Sequence, residues 1–203
     1  MLILCFGARM QNLDMSISGS IPPWPASDPK YGRIRLRAFT NRDAGMAIDL
    51  SQDPYVPKVG SLPPHATPEE ALAWIERQRQ RHIEGTGFSF SIADIETDRS
   101  MGNIGLWMRE LDAGRAQVGY GVAPSERGHS IASDALCALT CFAWTIPSLH
   151  RLELYIEPWN GASIRTAERA GYEREGLLRS HQEISGERRD MFLYAATRET
   201  RVD

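Results

Sequence analysis

The sequence predicts a mixed α/β fold of the α+β kind, and three observations carry that prediction. Three alternating apolar runs between residues 88 and 122 are separated by short polar turns, the pattern of an antiparallel meander. Two stretches carry helix-start signals followed by helical apolar spacing. A last pair of strands flanks Ser185-Gly186. In chain order the elements read β α α β β β α β α β β, without the internal repeat of roughly 20–50 residues that marks solenoids and propellers.

Residues 1 to 30 stand apart. Ser16, Ser18 and Ser20, then Pro22, Pro23, Pro25 and Pro29 around Trp24, sustain no period, so they are expected to form a flexible or loosely docked leader ahead of a domain at 31–203. The first strand begins where Ile34, Leu36 and Ala38 alternate with Arg33, Arg35 and Arg37. The arginines read as a solvated strand face rather than a phosphate patch. A short helix follows around Met46, Ala47 and Leu50. Asp53 to Pro64, with four prolines and Gly60, reads as a long loop of the kind that often forms a binding surface.

Thr67-Pro68-Glu69-Glu70 is a capping box with proline at the first helical position. The helix should run to Glu84 and stop at Gly85, with Leu72, Ile75, His82 and Ile83 inward, Arg77, Arg79 and Arg81 outward, and His82 a packed or solvated histidine. Three strands follow: Phe88 to Ala93, Ile104 to Met108 and Ala116 to Val122. Then come a helix over Ile131–Trp144, a strand over Arg151–Ile156, a helix over Ala162–Ala170 and the closing hairpin.

Among 203 residues, 23 basic side chains face 26 acidic ones, a formal charge of −3. That balance argues against a nucleic-acid scaffold, whose affinity comes mostly from phosphate neutralisation. Leu2 to Ala8 is too short for a span or a signal segment, and no later stretch nears twenty apolar residues, so no membrane partner and a cytoplasmic location are expected. Cys5, Cys137 and Cys141 lack metal-ligand spacing. Cys137 and Cys141 read as buried helix residues, and no metal is expected.

The chemistry concentrates after residue 118. In Val118-Gly119-Tyr120-Gly121-Val122-Ala123 one strand face is almost bare, which lets something approach the backbone closely, either a packed helix or an extended ligand. Arg127-Gly128-His129-Ser130-Ile131-Ala132 then joins strand to helix, where inward-pointing amides and the helix dipole can hold a phosphate. Asn160 and Ser163 sit three apart at another helix start, a capping arrangement.

These segments resemble the GCN5-related N-acetyltransferase (GNAT) superfamily. The hexapeptide matches its short Arg-Gly-x-Gly-x-Ala signature except that Ser130 replaces the second glycine. The stretch Asn160-Gly161-Ala162-Ser163 through Gly171-Tyr172 to Glu175-Gly176 resembles the Rim-type branch, which includes ribosomal-protein amino-terminal acetyltransferases; the likeness covers about Tyr31 to Thr197. It implies the GNAT fold, a mostly antiparallel mixed sheet whose two central parallel strands splay apart, flanked by helices. It also implies an acetyl-CoA-dependent N-acetyltransferase acting on a primary amine by direct attack in a ternary complex.

By the same resemblance, acetyl-CoA contacts fall at Val122, Ala123, Arg127, Gly128, His129, Ser130, Ile131, Ala132, Asn160 and Ser163. Ser163 would donate a proton to the leaving thiolate, with Asn160 beside it, and a backbone amide near Val122 would polarise the carbonyl. Where some relatives carry a glutamate this chain has Gln182. The base stays open among Glu153, Tyr155, Glu157 and Glu183, or is absent. A protein that binds CoA without turnover is the alternative, resting on Ser130 and the unassigned base. The acceptor and the oligomeric state, a dimer included, are open.

Overall fold

The computed structural model describes residues 21–198. Eight strands form one sheet: β1 (Lys30–Tyr31), β2 (Ile34–Arg37), β3 (Gly87–Asp94), β4 (Ser100–Trp107), β5 (Arg115–Val122), β6 (Arg151–Ile156), β7 (Glu173–Ile184) and β8 (Glu187–Thr197). Their spatial order is β1-β2-β3-β4-β5-β6-β8-β7, antiparallel throughout except for the parallel pair β5 and β6. The helices are α1 (Ala44–Ser51), α2 (Val56–Val59), α3 (Pro68–Ile83), α4 (Ile131–Ala143) and α5 (Gly161–Arg169). The expected class and the β3-β4-β5 meander are therefore present. None of the described helices is long and apolar enough to cross a membrane.

Strand alternation divides the core in two. Phe88, Phe90, Val118, Tyr120, Leu152 and Leu154 point to one face and pack with Leu136, Leu139 and Phe142 of α4. On the other face α1–α3 enclose a smaller cluster around Leu50, Val59, Trp74 and Ile75. There Ser89 donates to Gln78 Oε1 at 3.0 Å, so this layer is stitched by polar as well as apolar contact.

The capping box of α3 forms as expected: Glu70 N donates to Thr67 Oγ1 at 3.2 Å, and Thr67 N to Glu70 Oε2 at 2.9 Å. The helix ends at Ile83, and Gly85 beyond it has φ +70°. The inward face differs from the expected one. Ala71, Trp74, Ile75 and Gln78 are buried, whereas Leu72 and Ile83 are exposed, because the large Trp74 ring fixes the helix rotation against Phe39. Arg81 also turns inward, its guanidinium 4.6 Å from the Trp107 ring centroid.

Three further expectations are corrected. The Asp53–Pro64 loop contains the single-turn α2, because Asp53 Oδ1 accepts from the amides of Tyr55 and Val56 at 2.7 and 2.9 Å. The β2 arginines are not a solvated face. Arg37 is buried and makes two 2.8 Å bonds to Asp43, while Asp98 accepts from Arg35 at 2.7 Å and from Arg37 Nε at 2.6 Å. Paired carboxylates let arginine leave water. Cys141 is exposed and Cys137 half-buried, because α4 presents Ala138, Leu139 and Phe142 inward instead. Cys5 lies outside the described residues.

Of the expected leader, residues 21–30 fall within the described residues, and its last residue, Lys30, already pairs with Arg35 in the sheet. The Trp24 ring lies 4.8 Å from Phe90, 5.8 Å from Phe88 and 5.5 Å from His82, so Trp24 docks on the domain, and His82 is a packed histidine that also meets the Pro22 carbonyl at 3.0 Å. At the other end Ser185 and Gly186, with φ +52° and +81°, make the two-residue turn that joins β7 to β8.

Candidate active site

The site begins where the sheet fails to stay paired. β5 and β6 share a register only over Arg115↔Arg151, Ala116↔Leu152 and Gln117↔Glu153. Beyond that, β5 keeps β4 (Gly102↔Val122) and β6 keeps β8 (Ile156↔Phe192), so the two parallel strands part toward their C-terminal ends. A gap opens whose facing backbone edges lack a strand partner. Each strand then feeds a helix: β5 leads to α4 and β6 to α5. Two helix N-termini, with their unpaired amides and positive dipole ends, therefore border one gap.

The loop into α4 is shaped by two left-handed residues. Gly128 has φ +86° with open space around the position a Cβ would take, and Ser130 has φ +59°, ψ 8°. Ser130 thus adopts the conformation that the second glycine of the motif would adopt, at a cost of about 1–3 kcal/mol for a residue with a Cβ. Ser133 Oγ donates to the Ser130 carbonyl at 2.8 Å and fixes the turn. Among the described residues, nothing accepts from the amides of Gly128 through Ser133. Beside this loop lies a cleft of about 310 Å³ lined by Val122, Gly128, Ser130, Ile131 and Ala132 on one side and by Ala162, Arg165 and Arg169 of α5 on the other.

Not every expected residue joins this cleft. Arg127 borders it but folds back: its Nε donates to the Val122 carbonyl at 3.1 Å and its NH2 pairs with Asp53 Oδ2 at 2.7 Å. The Ala123 amide is engaged by the Met101 carbonyl at 3.0 Å. His129 is exposed, outside the lining. The two cationic side chains on the cleft's far wall, Arg165 and Arg169, escaped the sequence reading. Their i, i+4 spacing on α5 was the available signal.

Asn160 and Ser163 take the expected cap geometry. Ser163 N donates to Asn160 Oδ1 at 3.1 Å, and Asn160 N donates to the Glu157 carbonyl at 2.9 Å. The Ser163 hydroxyl is buried and completes no hydrogen bond among the described residues; the same is true of the Tyr120 hydroxyl beside it. Burial pushes the Tyr120 phenol up to about 12, although neighbouring Ser163 and Thr166 offset part of that rise. The Ser163 and Tyr120 hydroxyls thus neighbour each other beside the gap without completing a hydrogen bond. Cys137 has no such position, and burial together with Asp134 pushes its thiol up, against a nucleophilic role.

The opposite face of β6 carries Glu153, Tyr155 and Glu157. Glu153 accepts from Arg151 Nε at 2.6 Å and from the Tyr155 hydroxyl at 2.7 Å. Tyr155 stacks on His181 at 4.8 Å. Glu157, only 5% exposed, accepts from the Tyr55 hydroxyl, and Tyr55 meets the Trp159 ring edge-on at 5.0 Å. Chemically, one side of the gap offers oriented amides and arginines suited to an extended anion; the other offers carboxylates and aromatic rings suited to a cation.

A splayed parallel pair beside a loop of unengaged amides makes a cleft suited to an extended anionic ligand. The model of the acetyltransferase (GNAT) domain matches residues 33–173, and the chain belongs to that family. It is 30% identical over 163 residues to the uncharacterized N-acetyltransferase p20 of Bacillus licheniformis, a match covering 80% of this chain and 92% of that protein. The structure of Mycobacterium smegmatis RimJ in complex with CoA-disulfide superposes with a TM-score of 0.70 at 25% identity, covering 84% of this chain and 86% of the other. Spermidine N-acetyltransferase from Vibrio cholerae, in complex with CoA and spermine, shares the fold with a TM-score of 0.66 at 19% identity, over 81% and 95% of the two chains. The chain is an N-acetyltransferase of the GNAT family, with its likeness in the Rim-type branch.

Proposed function

We propose that this chain transfers an acetyl group from acetyl-CoA to a primary amine, on a protein N-terminus or a small molecule, by direct attack in a ternary complex. The observation that carries this reading is the gap between β5 and β6, bordered by two helix N-termini and by amides that no described residue engages. Acetyl-CoA, when bound, supplies an activated thioester carbonyl.

The residues present fit that group. The amides of Gly128 to Ala132, with Arg165 and Arg169 opposite, would hold its pyrophosphate. Arg127 then acts as a positioning residue, tying the loop to Asp53 and to the Val122 carbonyl. Val122, at the C-terminal end of β5, would direct its amide at the developing oxyanion. Asn160 fixes the first turn of α5, and the orphaned Ser163 hydroxyl is the donor for the departing sulfur. Ser130 takes the left-handed conformation, which removes the loop-geometry ground for a binding-only protein. A leader at 1–30 before the domain at 31–203, and a cytoplasmic location where acetyl-CoA is at hand, belong to the same reading.

The test is thiol release from acetyl-CoA with a peptide bearing a free amino terminus, spermidine and an aminoglycoside. Turnover with one of them is expected. Thermal stabilisation by CoA without turnover on any amine would favour the binding-only alternative.

A further inference from the structure

Four groups on the acceptor side stand as candidates for taking the proton that the incoming amine must lose, and the geometry separates them. Glu183 is exposed and lies two residues before the β7–β8 turn, opposite Arg188. Glu153 lies where β5 and β6 are still paired, opposite Gln117, and both its oxygens are taken, Oε1 by Arg151 and Oε2 by Tyr155. Tyr155 is thereby a donor to Glu153 and is stacked on His181. Glu157 differs from all three. It follows β6 directly, beyond the point where β5 and β6 have parted, and shares its backbone turn with Asn160.

One oxygen of the Glu157 carboxylate is hydrogen-bonded, and the other meets only a guanidinium at ion-pair distance. Oε2 accepts from the Tyr55 hydroxyl, whereas the nearest cation to Oε1 is Arg189 Nε at 3.8 Å, beyond hydrogen-bond distance. Arg189 is itself engaged by Glu187. Trp159, 59% exposed and edge-on to Tyr55, adds an aromatic ring of the kind that attracts cations. A buried carboxylate whose Oε1 accepts no hydrogen bond among the described residues, two residues from an exposed indole, has the chemistry to receive an ammonium group.

We propose that Glu157 binds the acceptor as its ammonium and is the general base of this enzyme, with Tyr55 as its positioning residue; this rests on the acetyltransferase reading above. Oε1 removes one proton from R–NH3⁺. The freed amine attacks the thioester carbon, so that a C–N bond forms and the C–S bond breaks. A second nitrogen proton balances the departing sulfur through Ser163, the third stays on the amide, and Glu157 releases its proton to solvent. The charged and titratable groups facing Glu157 are Tyr55 from the loop before α2 and Arg189 with Glu187 from β8; Tyr155, Glu153 and His181 form the neighbouring cluster. The role thus falls to a residue on β6, while Gln182 on β7 carries no carboxylate.

Glu157→Gln, Glu157→Asp and Tyr55→Phe test this with the same three amines. In Glu157→Gln, kcat near neutral pH should fall about 10²–10⁴-fold. The deficit should narrow as the pH approaches the amine's own pKa, about 7.7–8.0 for an α-amine or about 10.4 for a lysine-like amine, where free amine forms unaided. Calorimetric titration of the amine into the enzyme–CoA complex should show weakened binding, while the Kd for acetyl-CoA stays within roughly twofold of wild type, the scatter expected when no contact is lost. Glu157→Asp should recover part of kcat, and Tyr55→Phe should displace the acidic limb of the pH profile.

A Glu157→Gln enzyme that binds acetyl-CoA normally and keeps wild-type kcat across the pH range would overturn the proposal while leaving the acetyltransferase reading intact. Wild-type protein that turns over none of the three amines would overturn both. Should Glu157→Gln fail to fold, an unchanged pH profile in folded Tyr55→Phe and a fully active Glu157→Asp decide against it.

Discussion

The two sides of the β5–β6 gap are built from different materials. On the α4–α5 side the functional groups are mostly backbone amides, set by a nine-residue stretch from Gly128 to Leu136 and by the cap of α5. On the α1–α3 side they are side chains gathered from distant points: Tyr55 reaches Glu157 across 102 positions of sequence, and Arg189 arrives from β8. A backbone site depends on local conformation, so few sequences can form it and its motif is compact. A side-chain site depends on tertiary placement, so it can change without leaving a local mark.

That contrast can be broken first at Ser163, which stands at the junction. Ser163→Ala should lower kcat on the order of 10²-fold with a much smaller change in acetyl-CoA affinity. Steady-state rates beside direct binding measure the split, and an undiminished kcat would remove the serine from the proton path. Next comes the loop. Gly128→Glu adds a carboxylate to amides reserved for an anion and forces a Cβ into φ +86°, so CoA affinity should weaken roughly 30-fold, about 2 kcal/mol. Gly128→Ala carries the strain without the charge and should lose much less; equal losses would mean that charge has no part in the loop's function.

Two smaller effects probe the α1–α3 side as a scaffold. Thr67→Ala removes the cap of α3 and should cost about 1 kcal/mol of stability, read from denaturant unfolding, with catalysis nearly unchanged. Asp53 provides a pH test. Burial alone would raise its carboxyl, but the amides of Val56 and Tyr55 and the Arg127 guanidinium outweigh it and hold the group below the usual carboxylate range. A depressed folded-state pKa contributes stability above the unfolded value, near 3.9, that is lost as the pH falls through the folded value. The α2 loop and its tie to Arg127 should therefore persist through mild acid and loosen only below about pH 4, visible as faster amide exchange at Tyr55 and Val56. In Asp53→Asn the same loosening should already be present at neutral pH.

The same contrast explains what the sequence revealed. Alternation and turn residues located β3 through β6, because each strand buries one face on α4 and leaves a regular trace. The Gly128–Ala132 loop was legible because its conformation needs small residues, and Asn160 because a cap has a fixed spacing. Arg165 and Arg169 were missed because exposed helix arginines look alike whether or not a cleft lies beside them. Arg127 lines the cleft as well as pairing with Asp53, a partner 74 residues earlier that no local pattern announces. Arg37 looked solvated because alternation cannot register Asp43 and Asp98 folding over it.

The central claim is that acetyl-CoA occupies the gap from the α4–α5 side and the amine enters from the other. Hydrogen exchange with and without CoA tests it most directly, since amides that no protein group engages exchange quickly unless a ligand takes them. CoA should protect Gly128 to Ser133 and the open edge of β5 near Gly119 to Val122, while α3 and the Tyr55–Val59 segment stay unchanged. Protection confined to α1–α3, with the Gly128–Ser133 amides exchanging as before, would contradict it.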